Sequence, residues 1–145
     1  QTEGDPVPTL DTSIKDKNIN ILDCLIKMAD NLNIGVEFKS LRKGLKGFSI
    51  GGEVVVDKSL NDTEKSGVLV HEVAHELLHY ENKVNQELTQ EIKELEAETV
   101  AYIVMDRFGI EIQSEKYLAL YKRTYSLMDS FKRIDKVINI ILNNI

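Results

Sequence analysis

Tryptophan is absent from these 145 residues, cysteine occurs once, proline twice, and charged side chains break up every apolar run. A transmembrane helix needs about 20 consecutive apolar residues, so no candidate span exists. No basic start followed by an apolar stretch marks a signal peptide. Cys24 has no partner for an internal disulfide and falls within an apolar helical pattern. It reads as a small buried hydrophobe in a reducing compartment, and the expected location is cytoplasmic. Both prolines, Pro6 and Pro8, lie in the first dozen residues, which lack an apolar period. Residues 1–12 therefore read as an extended lead-in. Positive charge is also in short supply. The net charge of -6 argues against direct nucleic-acid binding by this domain. A small basic cluster, Lys39, Arg42, Lys43 and Lys46, reads as a solvated loop rather than a phosphate site.

What is present suits one domain spanning residues 1–145, long enough to bury a core. Gln1 rather than Met stands first, and the expectation is a domain cut from a longer protein. Apolar residues from Ile14 to Leu32 recur at helical spacing. A short strand follows at Val36 to Lys39. Glycines then punctuate a stretch carrying Phe48-Ser49-Ile50 and the β-branched run Glu53 to Asp57, which reads as the second half of a hairpin. Asn61 and Glu64 form a capping-box pattern that should open a helix running to about Tyr80. A second long helix is expected from about Glu87 to Phe108, stopped by Gly109. Two more are expected, opened by Ser114 and roughly by Asp129, the last with Ile134, Val137, Ile138, Ile141 and Leu142 on one face. The order of helix, small sheet and further helices makes the class α+β.

His71-Glu72-Val73-Ala74-His75 carries the chemistry. Histidines four residues apart stand one helical turn apart on one face, so both imidazoles can reach one zinc ion. Glu72 is rotated about 100° from His71. It cannot share the same coordination position, yet it can reach a water beside the metal. Zinc lowers the pKa of such a water toward about 7, and the carboxylate can take its proton as it attacks a carbonyl. All three histidines of the chain fall between positions 71 and 79, which is hard to reconcile with a chance pattern. His79 lies about 6 Å further along the axis than His75 and reads as a hydrogen-bonding partner rather than a ligand.

A third ligand must come from elsewhere. The helix containing Glu94-Leu95-Glu96-Ala97-Glu98 is the nearest suitable one. Glu94 and Glu98 share a face, and either could reach the ion; the other could hold the outer N–H of an imidazole. Ala97 and Ala101 would let this helix approach the histidine helix closely. Glu87, Glu91 and Glu96 read as solvated side chains of an acidic helix.

The segments HEVAHELLH and ELEAETVAY resemble the ImmA/IrrE-type metallopeptidases, and particularly the metallopeptidase domain of ArdC-like antirestriction proteins of mobile elements. The resemblance extends from the hairpin through Asp106-Arg107-Phe108-Gly109 to Tyr117-Leu118-Ala119. Gln1-Thr2-Glu3-Gly4 is similar to the segment that leads into the domain in ArdC-like proteins. It implies a zincin-like, gluzincin fold holding one zinc ion, with Glu94 as the third ligand and Glu98 as its partner. It also implies an antiparallel edge strand, here Glu53 to Asp57 with Val54, Val55 and Val56, that could align a peptide. Glu76 departs from the strict zincin signature, which has an uncharged residue after the second histidine.

Two functions follow as expectations. The first is a zinc endopeptidase that cleaves a specific intracellular regulatory protein. The second is a DNA-protecting or protein-binding module of a mobile element, with a mainly structural zinc site. A structural site has no need of a base, so Glu72 favours the first.

Overall fold

A computed structural model describes residues 20–80, 88–112 and 127–145, with side chains of the last segment from position 130. The lead-in and the helix expected at Ser114, with Tyr117-Leu118-Ala119, lie outside the described residues.

The first described helix, α1 (Ile21–Asn31), is capped by Asn20, whose side chain accepts from the Asp23 N–H at 3.1 Å. Leu22, Leu25, Met28 and Ala29 recur on one stripe and are buried there. The Ile14 to Ile19 part of the expected helix lies outside the described residues. Cys24 is half-buried rather than buried, because it falls at the edge of that stripe.

Three strands follow: β1 (Gly35–Lys39), β2 (Gly47–Ser49) and β3 (Glu53–Asp57). Their order is β1-β3-β2, with β1 parallel and β2 antiparallel to β3. The valine run is therefore the central strand of a mixed sheet, which corrects the expectation of an edge strand there. Val54, Val55 and Val56 are all buried, at 0–2% exposure. A β-branched run without alternating polar residues is what a strand covered on both faces requires. An edge would have carried polar side chains on one face.

Helix α2 (Asp62–His75) starts as its sequence dictates. The Asn61 side chain accepts from the Glu64 N–H at 2.8 Å, and Glu64 accepts from the Asn61 N–H at 3.2 Å. This reciprocal cap satisfies two amides that would otherwise lack partners, and such caps are worth about 1 kcal/mol. At its far end the helix widens into a π-helical turn, Glu76–Tyr80. Such turns are frequent at functional sites. Helix α3 (Gln90–Arg107) is capped by the Thr89 hydroxyl and stops at Gly109, whose φ of 78° is readily adopted without a side chain. Helix α4 (Leu127–Asn143) closes the described chain.

The core lies between α2, α3 and the sheet. Leu69, Val70, Val73 and Ala74 of α2 meet Ala97, Val100, Ala101 and Val104 of α3 in one apolar cluster. The small Ala97 and Ala101 are fully buried, so the two helices come close together there. That closeness brings polar groups from both helices to one place. On its other side α3 receives α4 through Ile134, Val137, Ile138 and Ile141.

Candidate metal centre

The expected turn of helix brings His71 and His75 together, with ring centroids 4.9 Å apart and planes at 72°. Glu94 faces both from α3. Its Oε1 lies 3.1 Å from His71 Nε2, and its Oε2 lies 2.9 Å from His75 Nε2. One ligand atom from each of the three residues falls within 4.8 Å of the others. A tetrahedral ion with bonds near 2.1 Å holds its donors roughly 3.4 Å apart. The donor set therefore needs little adjustment to take one.

Each imidazole is also held from behind. His71 Nδ1 is 2.8 Å from Glu98 Oε1, and His75 Nδ1 is 3.0 Å from His79 Nδ1. Both Nε2 atoms consequently point at the same carboxylate. Metal-ligating histidines are ordinarily arranged in this way, with one ring nitrogen engaged by the protein and the other left for the ion. Two histidines and a carboxylate, with each ring secured at its second nitrogen, fit a zinc site.

Electrostatics reflect the crowding. Burial works to lower the pKa of His71, but hydrogen bonds to Glu94 and Glu98 outweigh it and raise it to about 9. The same contacts with His71 and His75 hold Glu94 well below the usual carboxylate range. Burial raises Glu72, against the opposing pull of the two histidines. Glu72 lines a cleft of about 650 Å³ with His75, Glu94, Ser49, Phe48 and Tyr80. It also borders a second cleft, with His71, Glu98 and Lys46.

Strand β2 passes directly over this helix because position 47 is glycine. A Cβ there would stand 2.6 Å from Val68 Cγ1 and 2.9 Å from the Val55 carbonyl, closer than packed atoms approach. The π-helical turn fastens the hairpin between β2 and β3 in place. The Glu76 carboxylate accepts from the N–H groups of Gly51 at 2.8 Å and Gly52 at 2.5 Å, and the Tyr80 hydroxyl donates to the Ser49 carbonyl at 3.0 Å. Glu76, a departure when read as a signature position, is 2% exposed and holds two amides of a tight turn with positive φ.

Glu96 corrects the sequence reading most sharply. It is fully buried, not solvated. Its Oε1 lies 3.1 Å from His79 Nε2, and its Oε2 accepts from the Ser130 hydroxyl at 2.7 Å and the Arg133 guanidinium at 2.5 Å. Burial alone would raise its pKa, but hydrogen bonds from His79, Arg133 and Ser130 prevail and lower it. Burial lowers His79. A signal for this was present in the sequence. Ser130 and Arg133 stand four residues before Ile134 and Val137, on the apolar stripe of α4. Polar residues on such a stripe require a buried partner. Of the other acids read as solvated, Glu91 is exposed and Glu87 lies outside the described residues. The basic cluster Lys39, Arg42, Lys43 and Lys46 is exposed.

No helix among the described residues is long and apolar enough to cross a membrane. Comparison with curated proteins and with solved structures returned no match. A family model, that of the IrrE N-terminal-like domain, matches residues 29–137, from the end of α1 into α4. The match spans the capped helix, both histidines, the glutamate helix and most of the core that brings them together. The chain thus belongs to the IrrE N-terminal-like family, a metallopeptidase family of the ImmA/IrrE type.

Proposed function

We propose that the protein is a zinc-dependent endopeptidase of gluzincin type, with His71, His75 and Glu94 as ligands of one ion and Glu72 as the base. The observation that carries this reading is the convergence of both Nε2 atoms on Glu94, with each Nδ1 engaged elsewhere. Family membership supports peptidase chemistry. When bound, the ion supplies Lewis acidity, polarising the substrate carbonyl and lowering the pKa of water.

The protein's own groups do the rest. Glu72, beside His75 at the cleft wall, accepts a proton from the attacking water and returns it to the leaving amine. Strand β2, an edge of the described sheet, takes over the peptide-aligning part first expected of Val54, Val55 and Val56. In the antiparallel ladder Phe48 pairs with Val55, and the Ile50 N–H donates to the Glu53 carbonyl. The alternation leaves the backbone groups of Gly47 and Ser49 turned away from β3. Their N–H groups can hold an extended substrate, while Glu76 and Tyr80 keep the hairpin steady.

The segments HEVAHELLH and ELEAETVAY resemble those of ArdC-like domains of mobile elements, and that resemblance is what supports a narrower placement within the family. The substrate we infer is a specific regulatory protein in the cytoplasm. A purely structural zinc site would serve the DNA-protecting alternative, but it leaves a base lining an open cleft without a task. The test compares the proteomes of cells expressing wild type and Glu72→Gln. Wild type should yield a cleaved partner that the variant leaves whole, although the variant binds zinc equally. Full cleavage by Glu72→Gln would reject Glu72 as the base.

A further inference from the structure

Behind His75 the contact with His79 continues into a chain of buried polar groups, Glu96, Ser130 and Arg133, that the peptidase reading does not use. Glu96 and Arg133 are a directly bonded ion pair, already neutral as a unit, with Ser130 bound to the same oxygen. The other Glu96 oxygen faces His79 Nε2, and His79 Nδ1 faces His75 Nδ1. An ionised carboxylate only accepts, so His79 must carry its proton on Nε2. The neighbouring ion pair needs no second cation, and a neutral His79 then offers a lone pair at Nδ1. His75 must answer with a proton on its own Nδ1. Its Nε2 is thereby left with a lone pair, aimed at the position it shares with His71 and Glu94. Reversing any link puts two donors or two acceptors face to face.

We propose that Glu96, anchored from α4 by Arg133 and Ser130, is a positioning residue that acts through His79 to hold His75 in its metal-competent tautomer. This rests on the metal reading above. It makes α4, far along the chain from the histidine motif, a working part of the centre.

Glu96→Gln tests it with little change of volume. Ser130 and Arg133 both require an acceptor, so the amide oxygen stays with them and the amide N–H turns toward His79. That reverses the chain and puts a proton on His75 Nε2. Zinc affinity, measured by competition with a chelator, should fall about 10–100-fold, the usual effect of losing a ligand's partner. His79→Leu should weaken binding comparably, and Glu96→Gln should add nothing in that background. Wild-type affinity in Glu96→Gln, or a loss that adds to that of His79→Leu, overturns the proposal. Nitrogen-15 NMR of the zinc-loaded wild type gives a second readout that needs no variant. His79 should be protonated at Nε2 and bare at Nδ1, and the opposite pattern overturns the proposal. Should zinc bind no better to wild type than to a His71→Ala, His75→Ala double variant, the metal reading fails and takes this proposal with it. Should wild type bind and Glu96→Gln match it, only the chain through His79 fails.

Discussion

Helix α3 carries three glutamates within five residues, and its two faces use them differently. Glu94 and Glu98 stand at the rim of the site, 30% and 21% exposed, facing histidines. Glu96, about 200° around the helix from Glu94, is sealed between His79 and α4. One face presents carboxylates to a site open to solvent. The other uses a buried carboxylate to hold a guanidinium, a hydroxyl and an imidazole together. The residue type is the same, and the difference is what packs opposite.

The largest test of this contrast is Glu96→Ala. Removing one member of a buried ion pair costs about 3–5 kcal/mol, because Arg133 and Ser130 lose their acceptor. At roughly 2–4 °C per kcal/mol, the thermal midpoint should fall by about 6–20 °C. A midpoint within about 2 °C of wild type would return Glu96 to the solvated role that composition suggests. The contribution also has a pH signature. The carboxyl of Glu96 is held below its ordinary value of 4.5 in the folded state. Its stabilisation is therefore complete above that value and lost as pH falls below it toward the folded pKa. The gap in midpoint between wild type and Glu96→Gln should narrow on acidification below about pH 4.5.

On the opposite face the effect should appear in binding rather than folding. Glu94→Ala should weaken zinc binding by more than the roughly 10–100-fold expected of Glu98→Ala, with smaller shifts in midpoint than Glu96→Ala. A chelator series that ranks Glu98→Ala as the weaker binder exchanges the two roles.

Smaller effects separate the site from its frame. Gly47→Ala forces a methyl against Val68 and the Val55 carbonyl, and overpacking of this kind costs about 1–3 kcal/mol in urea unfolding. Because β2 also borders Glu72, hydrolysis should suffer beyond the loss of stability. Asn61→Ala, at the remote end of α2, should cost about 1 kcal/mol and leave zinc affinity unchanged. An affinity loss there would mean that the helix start and the metal centre are coupled.

Features decided by neighbours in the chain were legible in the sequence. The Asn61/Glu64 cap, the Gly109 stop and the one-turn spacing of His71 and His75 depend on 3.6 residues per turn and on bonds spanning a few positions. That a glutamate of α3 would meet an imidazole could be anticipated, because two helices with small residues between them must meet closely, but the spacing left open which of Glu94 and Glu98 would do so. Strand order could not be read, since β1 and β2 compete for β3 across loops of several residues and only assembly decides which side each takes. The fates of Glu76 and Glu96 were hidden for the same reason. A carboxylate is solvated or buried according to the donors that packing brings to it, and here those donors come from Gly51 and Gly52 in the hairpin, from His79 on the neighbouring helix, and from Ser130 and Arg133 on the last one. Local sequence sets the direction in which a side chain leaves its helix; only tertiary contact sets what it meets.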